Sequence, residues 1–240
     1  MPAQQRTAQY PRYTLYPLGL LALLLLLAAC GGSSTNSTPD ARQLIKQAQD
    51  AIQKVTSYHF NLVVDNPGTG STLVIKTADG DILVPDKLQA KANVVIFGNV
   101  VQEQIVTIGS SQYITDPITN QWTHTSGLLD ARTLSNSNTG VVSTLGHIQN
   151  PSTPTDANVD GTPCWSINGT IDAKYMAGIT GGGAPDGTMD AVNICIGKSD
   201  NLTYLVKISG IAAKGDTKQT VRTFKLSKFN EKLTITAPIP

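Results

Sequence analysis

Charged residues are scarce in this chain: of its 240 residues only 15% are Asp, Glu, Lys or Arg, against roughly 25% in an average soluble protein. The 18 basic and 17 acidic residues nearly cancel, so the sequence lacks the basic patch that nucleic-acid binding requires. The hydrophobic share of 40% argues against a disordered chain. With its abundant Thr, Ser, Val and Ile, the composition is typical of an extracellular, β-rich domain.

The sequence also lacks the common signatures of catalysis and metal binding. Its three histidines, His59, His124 and His147, stand alone, and neither H-E-x-x-H nor G-x-S-x-G occurs. Residues 181–183 are three glycines without the rest of a phosphate loop, so they predict a flexible loop. Residues 79–81, Asp-Gly-Asp, resemble a calcium-loop fragment without its downstream ligands and predict a tight turn. We expect no catalytic residue, metal or cofactor, although an acidic pair stays open.

A short apolar run precedes the first cysteine. Residues 18–29 read LGLLALLLLLAA and follow Arg6 and Arg12. A membrane-spanning helix needs about 20 apolar residues, so this run instead has the length and the charge asymmetry of a signal-peptide core. The sequence therefore predicts a signal peptide over residues 1–29.

Residues 27–30, Leu-Ala-Ala-Cys, match a lipobox. Small alanines admit the backbone to a protease, and the Cys30 thiol accepts a diacylglycerol with acyl chains such as palmitate. Two or three chains hold a protein stably on a membrane. We expect a lipid-anchored protein on the extracytoplasmic side of the cell membrane, with residues 30–39 as the lipidated cysteine and a flexible tether. The alternative is an ordinary secretory signal with an incidental cysteine.

The other two cysteines, Cys164 and Cys195, form an even pair in an exported chain. A disulfide is the default prediction for such a pair. Metal or thiol chemistry is the alternative, but neither residue has a His or Cys partner near it in sequence.

Hydrophobic periodicity predicts one helix followed by many strands. Residues 40–55 have apolar residues at helical spacing and Asp40 at the start. After them the period changes to two. The predicted strands are 59–64, 72–77, 88–97, 100–108, a strand and turn over 112–122, a strand around Cys164, 189–196, 202–208 and 220–229. Shorter helices are expected at 141–148 and 172–179, and residues 123–139 are weakly patterned. Residues 40–240 therefore read as a single α+β domain.

Several stretches carry a resemblance to a known family. They are the lipobox with its Ser/Thr tether, SYHFNLVV from Ser57, the segment 77–122 with its Gly-Asp, Pro-Asp and Asp-Pro landmarks, and VRTFKLSKFNEKLTITAP at 221–238. On these residues the chain resembles the LppX/LprAFG lipoproteins of the bacterial cell envelope, from Cys30 to Pro240.

The resemblance implies a half-barrel, in which helices cross the concave face of a strongly curved antiparallel sheet and enclose an apolar cavity. Members bind acylated lipids or glycolipids in the cavity and carry them within the envelope, and their fold is similar to that of LolA and LolB. An acylated lipid or glycolipid is thus the expected ligand. A membrane transporter stays open as a partner, and we expect a monomer.

The apolar pattern agrees with such a cavity, because a sheet with one apolar face and few helices leaves space to fill. Burying an acyl chain gains about 0.8 kcal/mol per CH₂, so a lipid needs little polar recognition. The candidate lining residues are Leu62, Val64, Leu88, Ala90, Ala92, Val94 and Ile96, with Val141, Val142 and Leu145 on a helix that acts as a lid. Plain core packing is the alternative for each of them.

Three functions are compatible with the sequence. The first is a non-enzymatic lipid carrier. The second is a binding or sensory module that uses its sheet surface for a protein or glycan. The third is an envelope hydrolase with an acidic pair.

Overall fold

The structure of the protein is a computed structural model that describes residues 38–68, 74–96, 98–126, 131–135 and 140–240. The predicted signal peptide, Cys30 and most of the tether lie outside the described residues, and so do Phe97 and the side chains of Val141 and Val142. Within the part described, no helix is long and apolar enough to span a membrane.

One amphipathic helix leads into the fold, as predicted. Helix α1, Ala41–Ile52, starts at Asp40, whose carboxylate accepts a hydrogen bond from the backbone N–H of Gln43 at 2.8 Å. Such a cap satisfies a donor that has no partner inside the helix. The buried residues of the helix recur at helical spacing: Ala41, Leu44, Ile45, Ala48 and Ile52.

The strands account for most of the remaining chain. They are β1 Ser57–Asp65, β2 Val74–Leu83, β3 Lys87–Ile96, β4 Asn99–Ile108, β5 Ser111–Thr115, β6 Trp122–Thr125, β7 Thr155–Val159, β8 Thr162–Asp172, β9 Met189–Gly197, β10 Thr203–Ser209 and β11 Val221–Ser227. The other helices are short: α2 Ala131–Ser135, α3 Val141–Gly146, a 3₁₀ helix Ala173–Met176 and α4 Ala177–Thr180.

Over the described residues, the strands form one eleven-stranded sheet in the order β6-β5-β4-β3-β2-β1-β11-β10-β9-β8-β7. Every pairing is antiparallel. Two meanders, β1–β6 and β7–β11, meet where β1 pairs with β11. Strands β6 and β7 are the two free edges, so the sheet is open, and the connection between them carries α2 and α3. The predicted large antiparallel sheet with few helices is therefore confirmed for the described residues.

One face of this sheet packs against the helices, and we call it the covered face. It carries the alternating buried residues of β1 and β3, among them Leu62 and Leu88, and the same apolar cluster takes in α1, α2 and α3. The opposite face is called the outer face. The main core therefore lies between the covered face and the helices.

The turn predicted at residues 79–81 is wrong, because these residues lie inside β2. Gly80 pairs with Phe60 on β1 and with Ala90 on β3. A Cβ on Gly80 would lie 2.3 Å from the carbonyl oxygen of Gln89, so glycine permits the close approach of β2 and β3. Pairing on both sides outweighs the local turn preference of Asp-Gly-Asp.

Two other elements differ from the prediction. The sequence pattern does not predict strand β7, because its residues are mostly exposed and lack an alternating apolar pattern. Helix α2 lies in the weakly patterned segment 123–139. Strand β7 lies at the edge of the sheet and α2 lies in the connection between β6 and β7, and local periodicity is weakest in these places.

Candidate functional site

The covered face brings together the predicted lining residues of β1 and β3. Leu62, Val64, Leu88, Ala90, Ala92 and Val94 are all buried and belong to one apolar cluster, and Ile96 is half-buried against it. Alternation along each strand places all of them on one side of the sheet. That these residues line a cavity stays a prediction, with ordinary core packing as the alternative.

Helices α1 and α3 cover this face together. Leu145 of α3 is fully buried in the same cluster as Leu44 and Ala48 of α1. The side chain of Gln49 on α1 reaches the end of α3, because a Cβ on Gly146 would lie 2.6 Å from its Nε2. The hydroxyl of Thr144 donates to the carbonyl oxygen of Gly140 at 3.1 Å, a bond within α3 and its cap. Through Leu145 the described part of the predicted lid helix packs on α1.

The second meander also contributes a large apolar surface, which the residue-level prediction misses. Seven buried residues of β8, β9 and β10 join the cluster: Ile167, Ile171, Val192, Ile194, Ile196, Val206 and Ile208. Their alternation is visible in the sequence, but the candidate lining residues come only from the first meander and the lid.

Two carboxylates also lie on the covered face, and sequence patterning does not single them out. Glu103 on β4 is directly opposite Ala92, and Asp190 on β9 is directly opposite Ile171. Their exposed fractions are 4% and 3%. Burial raises the pKa of both carboxyls, and the nearby Asp216 raises that of Asp190 further.

A buried ion pair closes the loop between β10 and β11. The Arg222 guanidinium bonds both carboxylate oxygens of Asp216, with 2.8 Å between Nη2 and Oδ1. The backbone N–H groups of Ala212 and Ala213 also donate to Asp216, at 3.1 and 2.7 Å. This loop packs beside Asp190, whose Oδ1 accepts from the N–H of Ile211 at 2.8 Å.

The outer face carries a polar network across β1, β2 and β3. His59 bonds Asp81 at 2.8 Å and Asp79 at 3.2 Å. Gln89 donates to Asp81 at 2.9 Å. Partial burial opposes the ionisation of Asp81, but the hydrogen bonds from Gln89 and His59 outweigh it and hold the pKa below its usual value. We interpret the network as structural, because His59 on β1 bonds two carboxylates of the neighbouring strand β2.

The residues after β11 cover a second apolar cluster on the outer face. Ile235 is buried against Val106 and Tyr113, with Trp122 and Ile239 beside them. The Ser57 hydroxyl donates to the carbonyl oxygen of Glu231 at 2.6 Å. We call residues 228–240 the C-terminal strap.

No group of three or more His, Cys, Asp or Glu side chains is arranged to hold a metal ion in the described ranges. An open groove of about 420 Å³ lies beside the C-terminal end of α1. Six of its nine lining residues are polar, namely Gln47, Asp50, Lys54, Asp200, Asn201 and Asn230, and the other three are Ala51, Val55 and Leu202.

The comparison with known families agrees with this architecture. The sequence model of the LppX_LprAFG lipoproteins matches residues 40–235. The chain belongs to this family. The resemblance seen in the sequence is thereby confirmed, and the match spans every strand and helix among the described residues.

Two curated relatives are informative. Lipoprotein LprA of Mycobacterium tuberculosis is 26% identical over 237 residues, which cover 91% of this chain and 95% of LprA. The lipoarabinomannan carrier protein LprG of Mycobacterium leprae is 26% identical over 159 residues, covering 63% of this chain and 66% of LprG. These family members are named as lipoproteins and a carrier rather than as enzymes.

Two crystal structures share the fold. LprF of Mycobacterium bovis superposes with a TM-score of 0.66 at 20% identity and covers 85% of this chain and all of LprF. LppX of Mycobacterium tuberculosis gives 0.59 at 21% identity, covering 81% and 97%. The open antiparallel sheet is therefore the fold of these lipoproteins, and it is consistent with a curved half-barrel.

Proposed function

We propose that this protein is a membrane-anchored carrier that holds an acylated lipid or glycolipid between the covered face of its sheet and its helices. One observation carries the proposal: the two meanders present a continuous apolar face that has few and short helices to cover it. An apolar surface of this kind suits acyl chains, which gain about 0.8 kcal/mol for each CH₂ they bury.

Small side chains at the middle of this face support the proposal further. Ala78 and Gly80 on β2 lie next to Ala90 and Ala92 on β3, and all four are buried. Side chains of this size would leave room for an acyl chain between the sheet and the helices. We therefore propose that the sheet is curved and encloses a cavity at this point.

The anchor is part of the same proposal. Cys30 would carry the acyl chains, and the tether up to residue 39 would place the folded part at the membrane surface, on the extracytoplasmic side. The protein would act as a monomer there, without enzymatic activity, and would receive its lipid from the membrane or from a transporter.

Native mass spectrometry tests lipid binding. The mature chain with Cys30→Ser, expressed in a lipid-rich host and purified without detergent, should retain an acylated species that organic extraction releases. Ala92→Trp, which fills the covered face, should abolish retention. Lys91→Trp is the matched control, because Lys91 is the exposed neighbour on the same strand. An empty wild-type protein that also ignores added phospholipid and glycolipid would refute the proposal.

A photoactivatable fatty acid locates the site without any substitution. Cross-links should map to β1, β3 and the strands β8–β10 and should spare Ile235 and Tyr113 on the outer face. Labelling of the outer face instead would place the lipid elsewhere.

A second candidate function rests on the groove beside α1. Its amides and carboxylates, with Lys54 among them, suit a glycan or a peptide. If the protein is a binding module of this kind, the bound partner should protect Lys54 from acetylation, while Lys91 should react as before.

A further inference from the structure

Polar groups without partners lie on the covered face, where the apolar cluster surrounds them. Asp190 Oδ2 and Thr107 Oγ1 are buried and have no hydrogen-bond partner within the described residues. Thr107 is paired with Leu88 on β3. Buried polar groups in proteins are nearly always hydrogen-bonded, so each exception needs an explanation.

Asp190 uses only one of its two oxygens. Oδ1 accepts from Ile211, and Gly210 packs so closely that a Cβ there would lie 2.0 Å from this oxygen. Arg222, the cation of this region, is already held on both of its outer nitrogens by Asp216. Oδ2 therefore stays unpaired in the described part of the chain, although only 3% of the residue is exposed.

Glu103 is a second buried carboxylate, 4% exposed, and lies on the other meander. Its covered-face neighbours are apolar: Ala92 lies opposite, and Val101 and Ile105 flank it on β4. None of the hydrogen bonds or ion pairs between described residues reaches its side chain. Burial raises the pKa of both carboxyls, and at Asp190 the hydrogen bond from Ile211 and the charge of Arg222 offset this only in part.

An unpaired buried carboxyl is unfavourable unless a partner arrives. Both groups are hydrogen-bond acceptors when ionised, and their negative charge repels a phosphate or a carboxylate. A hydroxyl group donates to such an oxygen in a charge-assisted bond, which is stronger than a neutral one.

We infer that Asp190 is the polar contact for the headgroup of the bound lipid: its carboxylate accepts hydrogen bonds from the hydroxyl groups of an uncharged headgroup and disfavours an anionic one. The inference rests on the proposed function, since it names the headgroup that this carrier selects. Asp190 lies where the loop between β10 and β11 borders the apolar face. Glu103 lies six strands away, roughly 29 Å along the sheet at about 4.8 Å per strand, which is too far to touch the same headgroup.

Competition between two lipids with the same acyl chains tests the inference. The mature chain with Cys30→Ser is incubated with equimolar dioleoyl monogalactosyldiacylglycerol and dioleoyl phosphatidate, and native mass spectrometry gives the bound ratio. Wild type should favour the galactolipid. Asp190→Asn keeps the shape of the side chain but removes its charge, and it should lower the ratio about tenfold. Glu103→Gln makes the same kind of change at the distant buried carboxyl and should leave the ratio unchanged.

Matched controls make the same chemical changes at exposed sites. Asp186→Asn and Glu231→Gln should leave the ratio unchanged, because both residues are exposed. Thermal unfolding of every variant shows whether it is folded. A wild type that prefers phosphatidate, or a folded Asp190→Asn variant with the wild-type ratio, would overturn the inference and leave the carrier function intact. A wild type that takes up neither lipid would refute the proposed function, and the inference with it.

Discussion

Cys164 on β8 and Cys195 on β9 are joined by a disulfide, with 5.6 Å between their Cα atoms. The two residues are not directly opposite, since Cys164 faces Gly197 and Cys195 faces Ser166. Both cysteines are buried, at 0% and 2% exposure. The bond therefore ties the register of two neighbouring strands inside the second meander, and it confirms the pairing predicted from the sequence.

Removing this bond should destabilise the protein. Replacing both cysteines with alanine should lower the free energy of unfolding by about 3 kcal/mol, because the unfolded chain regains the entropy of the open loop. Urea denaturation of the oxidised protein and of the double variant measures the difference. Equal midpoints would show that the strand pairing holds β8 and β9 without the cross-link.

The C-terminal strap should contribute to stability through Ile235. Ile235→Ala removes a side chain that is only 2% exposed, and should cost about 2–4 kcal/mol. The matched control is Ile118→Ala, since Ile118 is 91% exposed and its loss should change stability by less than about 0.5 kcal/mol. Similar effects of the two substitutions, by chemical denaturation, would argue that the strap does not seal the outer cluster.

Asp81 should stabilise the fold at neutral pH and lose this effect in acid. Its pKa is lowered in the folded protein, so the folded state binds the proton less tightly than the unfolded chain does. The contribution is present above the unfolded pKa, near 3.9, and is lost as the pH falls through the folded pKa. Asp81→Asn should therefore lower the melting temperature at pH 7 and much less at pH 3. An equal loss at both values would exclude ionisation as the cause.

Asp190 should behave in the opposite way. Its pKa is raised in the folded protein, so the folded state holds the proton more tightly and stability falls as the pH rises from the unfolded pKa through the folded one. Asp190→Asn keeps an acceptor for the N–H of Ile211 and removes the charge. It should raise the melting temperature of the ligand-free protein at pH 7 and leave it nearly unchanged at pH 3. A lower melting temperature at pH 7 would show that the charge is compensated.

The lipid anchor should depend on Cys30 alone. In a host that processes bacterial lipoproteins, Cys30→Ser should move the protein from the membrane fraction to the soluble fraction, because no acyl chain is attached. Cys164→Ser is the control and should stay with the membrane. Retention of the Cys30→Ser protein in the membrane would mean that another segment anchors it.

Local patterns predict helix α1 and most of the strands. The stripe from Leu44 to Ile52 and the cap at Asp40 depend only on residues a few positions apart, and the alternation of β3 depends on the two-residue period of a strand. The family resemblance adds the outline of the sheet, which the relatives share.

The sequence by itself therefore determined where the first helix and most strands run, which of their residues face the core, and which cysteines pair, because each follows from local spacing or from counting. Only the tertiary structure decided that β1 pairs with β11, that Asp79 and Asp81 lie in a strand beside His59, and that Glu103 and Asp190 are buried on the covered face. Those outcomes depend on contacts between segments that are distant in the sequence. The energy of strand pairing outweighs local turn preferences, and the apolar residues that surround each buried carboxylate come from several strands.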